Sequence, residues 1–285
     1  MFSLWDIFGH ECEPIKIIDV GAMMIDNEPP DYHALLKPGA VKIIGFEPDQ
    51  DECRKLNQTY TGDCLFLPYF IGDGNDRKFN LCRYNMTSSF YEPNVDLLDK
   101  FQLLTELIHV VKSATVSTKR LDDIDEVQGA DYLKIDVQGA EVDVFNGAKN
   151  VLTDTMIVHT EVEFVPLYID QPLFAEVDQN MRKNGFLLHK FLKLAGHTFK
   201  PLIVNDKIDQ PLSQILWTDA IYIKNFMHYD RMPPEKLLKL AIILHDVYNS
   251  YDIVHYILQH YDKQTSGKCA EQYLHLLTNP HSPPV

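Results

Sequence analysis

The feature that most constrains this chain is an alternation. From residue 15 to about residue 225, short runs rich in Ile, Val and Phe are separated by segments whose apolar residues recur every three or four positions. Short runs that are apolar nearly throughout read as strands covered on both faces. Strands alternating with helices specify an open, mostly parallel sheet with helical cover. The first run, residues 15–20, carries three isoleucines and ends in Asp19-Val20-Gly21. Further strands are expected at 41–46, 64–71, 132–137, 156–164, 186–194, 200–204 and 219–224, with extended pieces at 78–84 and 115–118. Helices are expected up to Tyr60 from a cap at Asp49 or Asp51, then over 97–111, 140–152 and 172–184, with a short one opening at Pro29-Pro30 behind Asp26 or Asn27.

After Phe226 the pattern becomes purely helical. Pro233-Pro234 opens a helix to about Tyr248, a second runs over 251–261 and a third over 271–277, and residues 281–285 are expected to fray. The chain therefore divides into residues 1–225 and a helical extension, 226–285. Residues 237–244 are apolar around most of the helix, which is expected to pack on its own domain or in a homodimer.

Composition narrows the function classes. A formal charge of −15 over 285 residues argues against nucleic acid or an anionic membrane as the main partner. The five cysteines form no CxxC pair, no apolar run reaches the roughly 20 residues that span a bilayer, and the first ten residues lack the basic start of a secretory signal. A cytoplasmic protein with no transmembrane segment is expected.

Ligands of such sheets bind beyond the carboxyl ends of the strands. Gly21 ends the first strand and lets the backbone approach a ligand closely. Glu47 ends the second, where a carboxylate can accept both hydroxyl hydrogens of a ribose, and Pro48 fixes the turn that aims it. In the run 131–141, Lys134 and Asp136 share one side of a strand and must be paired or face a polar cleft. Near the end of a fourth strand, His159, Glu161 and Glu163 alternate onto one side. His159 suits a general base, Asp136, Glu161 and Glu163 suit a divalent cation, and a packed, hydrogen-bonded His is the plain alternative. His245, His255 and His260 lack the spacing of a helical zinc pair. The chain has no GxSxG elbow, no GxxxxGK[ST] loop and no GxGxxG, which removes α/β-hydrolases and P-loop enzymes and weighs against an NAD-dependent sugar-modifying enzyme.

Taken in order, Ile18-Asp19-Val20-Gly21-Ala22, Gly45-Phe46-Glu47-Pro48, the run 87–93, Lys119-Arg120-Leu121-Asp122-Asp123, the run 133–141 and the run 161–168 resemble the FkbM family of S-adenosylmethionine-dependent methyltransferases. The resemblance spans about residues 15–225. It implies a Rossmann-like class I methyltransferase fold, a mostly parallel seven-stranded sheet with an antiparallel last strand. It also implies methyl transfer from S-adenosylmethionine to a hydroxyl of a sugar, glycan or secondary metabolite. By position, Asp19, Gly21 and Ala22 would lie beside the methionine part of the cofactor, Glu47 would hold the ribose, Gly72 or Asp73 would lie beside the adenine, and Asp136 would face the methyl-transfer cleft. The chain departs from the family where Ile25 stands at a second motif glycine, within an insertion that reshapes the cofactor entrance.

For the proton released in O-methylation, the candidate bases are Asp136, His159 and Glu163. The runs 87–91 and 191–201 are candidates for the acceptor wall. The competing reading is a methyltransferase-like scaffold, without catalysis, whose helical tail binds a partner.

Overall fold

The computed structural model describes residues 2–23 and 29–279. Its centre is a seven-stranded sheet. In chain order the strands are β1 (Ile15–Val20), β2 (Val41–Phe46), β3 (Cys64–Leu67), β4 (Phe70–Ile71), β5 (Asp76–Cys82), β6 (Val110–Lys119), β7 (Tyr132–Ile135), β8 (Ile157–Glu163), β9 (Phe186–Phe191) and β10 (Trp217–Lys224). The central sheet has the order β3-β2-β1-β7-β8-β10-β9, while β4, β6 and β5 form a separate three-stranded sheet. Pairs β3-β2-β1-β7-β8 are parallel, and β10 runs antiparallel to both β8 and β9. The Rossmann-like sheet with one antiparallel last strand is thus present. The strand order reverses beside β1, and the crevice there opens at the carboxyl ends of β1, β2 and β7.

The strands are apolar on both faces because helices cover both. One face, with Ile15, Ile17, Tyr132, Ile157, Ile221 and Ile223, packs under the tail helices α8 (Pro234–Asp246), α9 (Tyr251–Thr265) and α10 (Cys269–Thr278). The same cluster takes in α1 (Leu4–Phe8) and α2 (Gln50–Thr59). Every residue from Leu237 to His245 is buried, so the apolar circumference of α8 is spent within the molecule. The opposite face, with Ile18, Val20, Leu133, Ile135, Val158 and Val162, packs on α5 (Glu141–Asn146), α6 (Lys149–Asp154) and α7 (Phe174–Lys183). The two one-turn helices α3 (Val95–Leu98) and α4 (Leu104–Leu107) lie between β5 and β6.

Two ionic ties fasten the tail. Buried Asp131, just before β7, accepts from the ammonium groups of Lys236 at 2.6 Å and Lys239 at 3.1 Å, and from the Lys16 amide at 2.9 Å. The Asp246 carboxylate caps α1 from a distance in sequence, accepting from the Leu4 amide at 2.7 Å and the Trp5 amide at 3.2 Å.

Several local expectations are corrected. The helix expected over 97–111 is two single turns followed by β6. Leu98, Phe101, Leu104 and Ile108 do share one apolar cluster, but Leu103 has a φ of +68° and Phe101 bridges to Phe199, so the helical hydrogen bonds are interrupted. The strand expected over 64–71 breaks at Pro68, which has no amide hydrogen, and its second half joins the small sheet. The helix over 140–152 is divided at Gly147, where a Cβ would stand 2.1 Å from the Gly72 carbonyl oxygen. Residues 200–204 form no strand of either sheet. Asp49 is the cap of α2, its side chain accepting from the amides of Asp51 and Glu52. The caps proposed at Asp26 and Asn27, the substitution at Ile25 and the fraying of 281–285 lie outside the described residues.

Candidate active site

At the carboxyl edge of β1, β2 and β7 lies a cavity of about 370 Å³, lined by Gly21, Phe46, Glu47, Pro48, Lys134, Asp136 and Gln138, among others. This is within the size range of small-molecule sites. Its outer wall comes from the small sheet and the following loop, through Phe70, Phe79, Leu81, Ala114, Val116, Ser88, Ser89 and Phe90. Phe70, Phe79 and Phe90 touch one another, with ring centroids 4.8–6.1 Å apart.

Gly21 has a φ of +82°, and a Cβ there would lie 2.0 Å from the carbonyl oxygen of Asp136. The first loop therefore passes the end of β7 at a distance open only to glycine. The amides of Gly21 and Ala22 both donate to the Phe46 carbonyl, which ties this loop to the end of β2. Glu47 is buried at the head of the next turn, and its Oε1 accepts from the Asp49 amide at 2.7 Å. Burial, with Asp49, Glu52 and Asp19 adding repulsion, pushes its carboxyl up to about 7 despite that hydrogen bond.

Lys134, on the cavity wall, sits 3.4 Å from Oδ1 of Asp19 behind it, and Asp19 Oδ2 accepts from the Tyr32 hydroxyl at 2.8 Å. Lys134 is thus paired across strands with Asp19. Burial alone would lower its pKa, but Asp19, Asp136 and Asp31 together hold it above the usual range. Asp136 lines the cavity, and its Oδ1 accepts from the Gln138 amide at 2.9 Å.

Of the residues singled out from sequence, Gly21, Glu47, Pro48, Lys134 and Asp136 line this cavity; Asp19, Ala22, Gly72, Asp73, His159, Glu161 and Glu163 do not. Asp73 faces Arg77 at 2.7 Å, and Gly72 packs against Thr118. The neighbouring Tyr69, Phe70 and Ile71 take the place at the cavity instead. His159 is buried, with Nδ1 3.1 Å from the Tyr248 hydroxyl and 3.3 Å from that of Tyr132, and Nε2 3.5 Å from Asp219. Burial opposes ionisation of Asp219, but His159 and Lys134 hold its carboxyl below the usual range. Glu163 is buried with Oε2 unpaired, and burial with nearby Glu141 and Asp136 raises its pKa well above the ordinary carboxyl value.

The divalent-cation set Asp136, Glu161 and Glu163 is not assembled. Among the described residues no three His, Cys, Asp or Glu side chains converge as metal ligands. The Gln138 amide stands between Asp136 and Glu161, donating to both. The wall residues on β5 and β6 escaped the sequence reading, although Phe79 and Leu81, and Lys112, Ala114 and Val116, recur at the two-residue step of one strand face. The acceptor-wall candidates divide: Ser88, Ser89 and Phe90 line the cavity, and the run 191–201 does not.

A Rossmann-like sheet with an antiparallel last strand, bearing this crevice at its switch point, is that of an S-adenosylmethionine-dependent methyltransferase. The model of the methyltransferase FkbM domain matches residues 19–188, and the chain belongs to that family. No curated protein matches the chain. Solved structures similar to it include magnesium protoporphyrin IX methyltransferase from Synechocystis PCC 6803 with bound SAM, at 8% identity and a TM-score of 0.36, covering 78% of this chain and 75% of that one. A putative methyltransferase from Thermoplasma acidophilum has 10% identity and a TM-score of 0.37 over 79% and 76%. A 30S ribosomal A1408 methyltransferase from an uncultured bacterium has 12% identity and a TM-score of 0.33 over 79% and 95%. Among the described residues no helix is long and apolar enough to cross a membrane.

Proposed function

We propose that the cavity binds S-adenosylmethionine and that the methyl group passes to a hydroxyl oxygen of a small molecule or glycan, of the sugar or secondary-metabolite class. The observation that carries this reading is one cavity lined by the close-approach glycine Gly21, the buried carboxylate Glu47 and the cleft carboxylate Asp136. The residues fit the cofactor. Glu47, fixed by the Asp49 amide, would accept from the ribose hydroxyls. Gly21 would pass the methionine part, and Tyr69, Phe70 and Ile71 would supply an apolar wall for the adenine.

The bound cofactor supplies an electrophilic methyl carbon, so the chain's own task is to place a hydroxyl oxygen in line and to receive its proton. Asp136 is the candidate base that lines the cavity. His159 is committed to tyrosine hydroxyls and Asp219 on the tail-covered face. Glu163 does not line the cavity, and burial raises its carboxyl well above the ordinary value. Asp19 acts behind the wall by holding Lys134 and Tyr32. We assign the catalytic unit to residues 1–225 and the role of sheet cover to 226–285. Five unbridged thiols accord with a reducing, cytoplasmic compartment.

Calorimetric titration with S-adenosylmethionine, with NAD as control, tests the reading. Micromolar binding of the former alone is expected, followed by label transfer from methyl-labelled cofactor to a member of a hydroxylated acceptor panel. Absence of binding by folded protein refutes it and favours the scaffold reading.

A further inference from the structure

The turn after β7 presents one cavity-lining side chain that has so far received no role. Gln138 has a φ of +55°, a conformation costly to a residue with a Cβ. Three hydrogen bonds hold it there. Its Nε2 donates to Asp136 Oδ1 at 2.9 Å and to Glu161 Oε2 at 2.7 Å, and its backbone carbonyl accepts from Ser89 Oγ at 2.6 Å. The side-chain amide thus joins the end of β7 to β8, and the main-chain carbonyl ties the same residue to the loop that walls the cavity. Both amide hydrogens are committed to carboxyl oxygens, and burial with the nearby Asp136, Glu163 and Glu141 raises the pKa of the Glu161 carboxyl well above the ordinary value. Without this amide, Asp136 and Glu161 would face each other with no donor between them.

We propose that Gln138 is a positioning residue for methyl transfer: its amide pins one oxygen of Asp136, so that the carboxylate presents its charge to the cationic cofactor in the cavity. The proposal rests on the reading of the cavity as the S-adenosylmethionine site. It has a readout that needs no acceptor and no turnover. S-adenosylmethionine carries a sulfonium cation, whereas S-adenosylhomocysteine, the demethylated product, is neutral at sulfur. The ratio of their affinities therefore reports a negative charge held at the cavity.

The experiment titrates both ligands calorimetrically into the full chain and into Gln138→Leu, Gln138→Gly, Asp136→Asn and the Gln138→Leu/Asp136→Asn double variant. Gln138→Gly relieves the backbone and keeps the carbonyl that Ser89 uses, so it retains the fold if Gln138→Leu does not. Each Gln138 variant is expected to reduce the preference for S-adenosylmethionine about tenfold, with the affinity for S-adenosylhomocysteine nearly unchanged. The double variant is expected to be no worse than Asp136→Asn alone, because Gln138 acts through Asp136. An unchanged preference in Gln138→Gly, equal weakening of both ligands, or multiplying losses in the double variant overturns the proposal while leaving the cavity reading intact. Wild-type protein that binds neither ligand overturns both.

Discussion

Replacing Gly21 by Ala tests the geometry of the first loop directly. The added methyl carbon would lie 2.0 Å from the Asp136 carbonyl oxygen, whereas ordinary contact begins near 3.4 Å. Backbone must therefore move by about 1 Å, and the backbone that moves bears a cavity-lining carboxylate. The φ of +82° adds a conformational cost of about 1–2 kcal/mol for any residue with a Cβ. Relief of the overlap adds about 1–3 kcal/mol, as for other overpacked sites. The sum, about 2–5 kcal/mol, corresponds to a fall in Tm of about 3–8 °C at this chain length. Thermal unfolding followed by circular dichroism measures the stability, and calorimetry the binding of S-adenosylmethionine, which is expected to weaken by about tenfold or more because the loop and Asp136 shift together. A Gly21→Ala protein that melts within 2 °C of wild type and binds with wild-type affinity would refute the argument.

Glu47→Gln should stabilise the fold in a pH-dependent way. The folded carboxyl titrates at about 7 against an ordinary value of 4.5, so its ionisation opposes folding. The penalty is absent below about 4.5, grows as pH rises to 7 and is then constant at up to about 3 kcal/mol. Urea unfolding should show the variant ahead of wild type at pH 8 and level with it near pH 4; an equal difference at both pH values contradicts the buried-carboxylate account. Asp131→Asn removes the buried carboxylate shared by Lys236 and Lys239, leaves Lys239 only the solvent-exposed Glu235 at 3.0 Å, and should cost about 2–3 kcal/mol in urea unfolding. A loss below about 1 kcal/mol would show that the tie contributes no more than a surface pair. Removing residues 226–285 should give an insoluble chain, since Ile15, Ile17, Ile157, Ile221 and Ile223 lose their cover; a soluble, cooperatively folded remainder, seen by size exclusion and thermal melting, would contradict this.

The central sheet was legible because its strands are apolar on both faces and their ends carry Asp-Val-Gly, Phe-Glu-Pro and Lys-Ile-Asp, each a signal of strand followed by polar turn. Gly21, Glu47 and Asp136 could be placed on one edge for that reason. The small sheet was not legible. In β6 most residues are exposed, so hydrophobic patterning carried little information, and the leucines before it imitated a helix that Leu103 interrupts. His159 was placed correctly on a strand face, but which face the tail would cover is a property of packing over long sequence separations. Its partner Tyr248 is 89 residues away. The Gln138 bridge was hidden because it depends on a left-handed backbone at a residue that is not glycine.

The Asp246 cap on α1 has a consequence for synthesis. Ser3 and Asp246, joined side chain to side chain at 2.7 Å, are 243 residues apart in sequence. Chains grow from the N-terminus at about 5–20 residues per second. The isoleucine face of β1 therefore leaves the ribosome many seconds before α8, which is to cover it, has been made. During that interval the nascent chain carries an uncovered apolar face and an uncapped first helix. Closure of contacts at such separation is entropically slow, so the yield of this protein in a cell depends on what shields that face while the ribosome completes the tail.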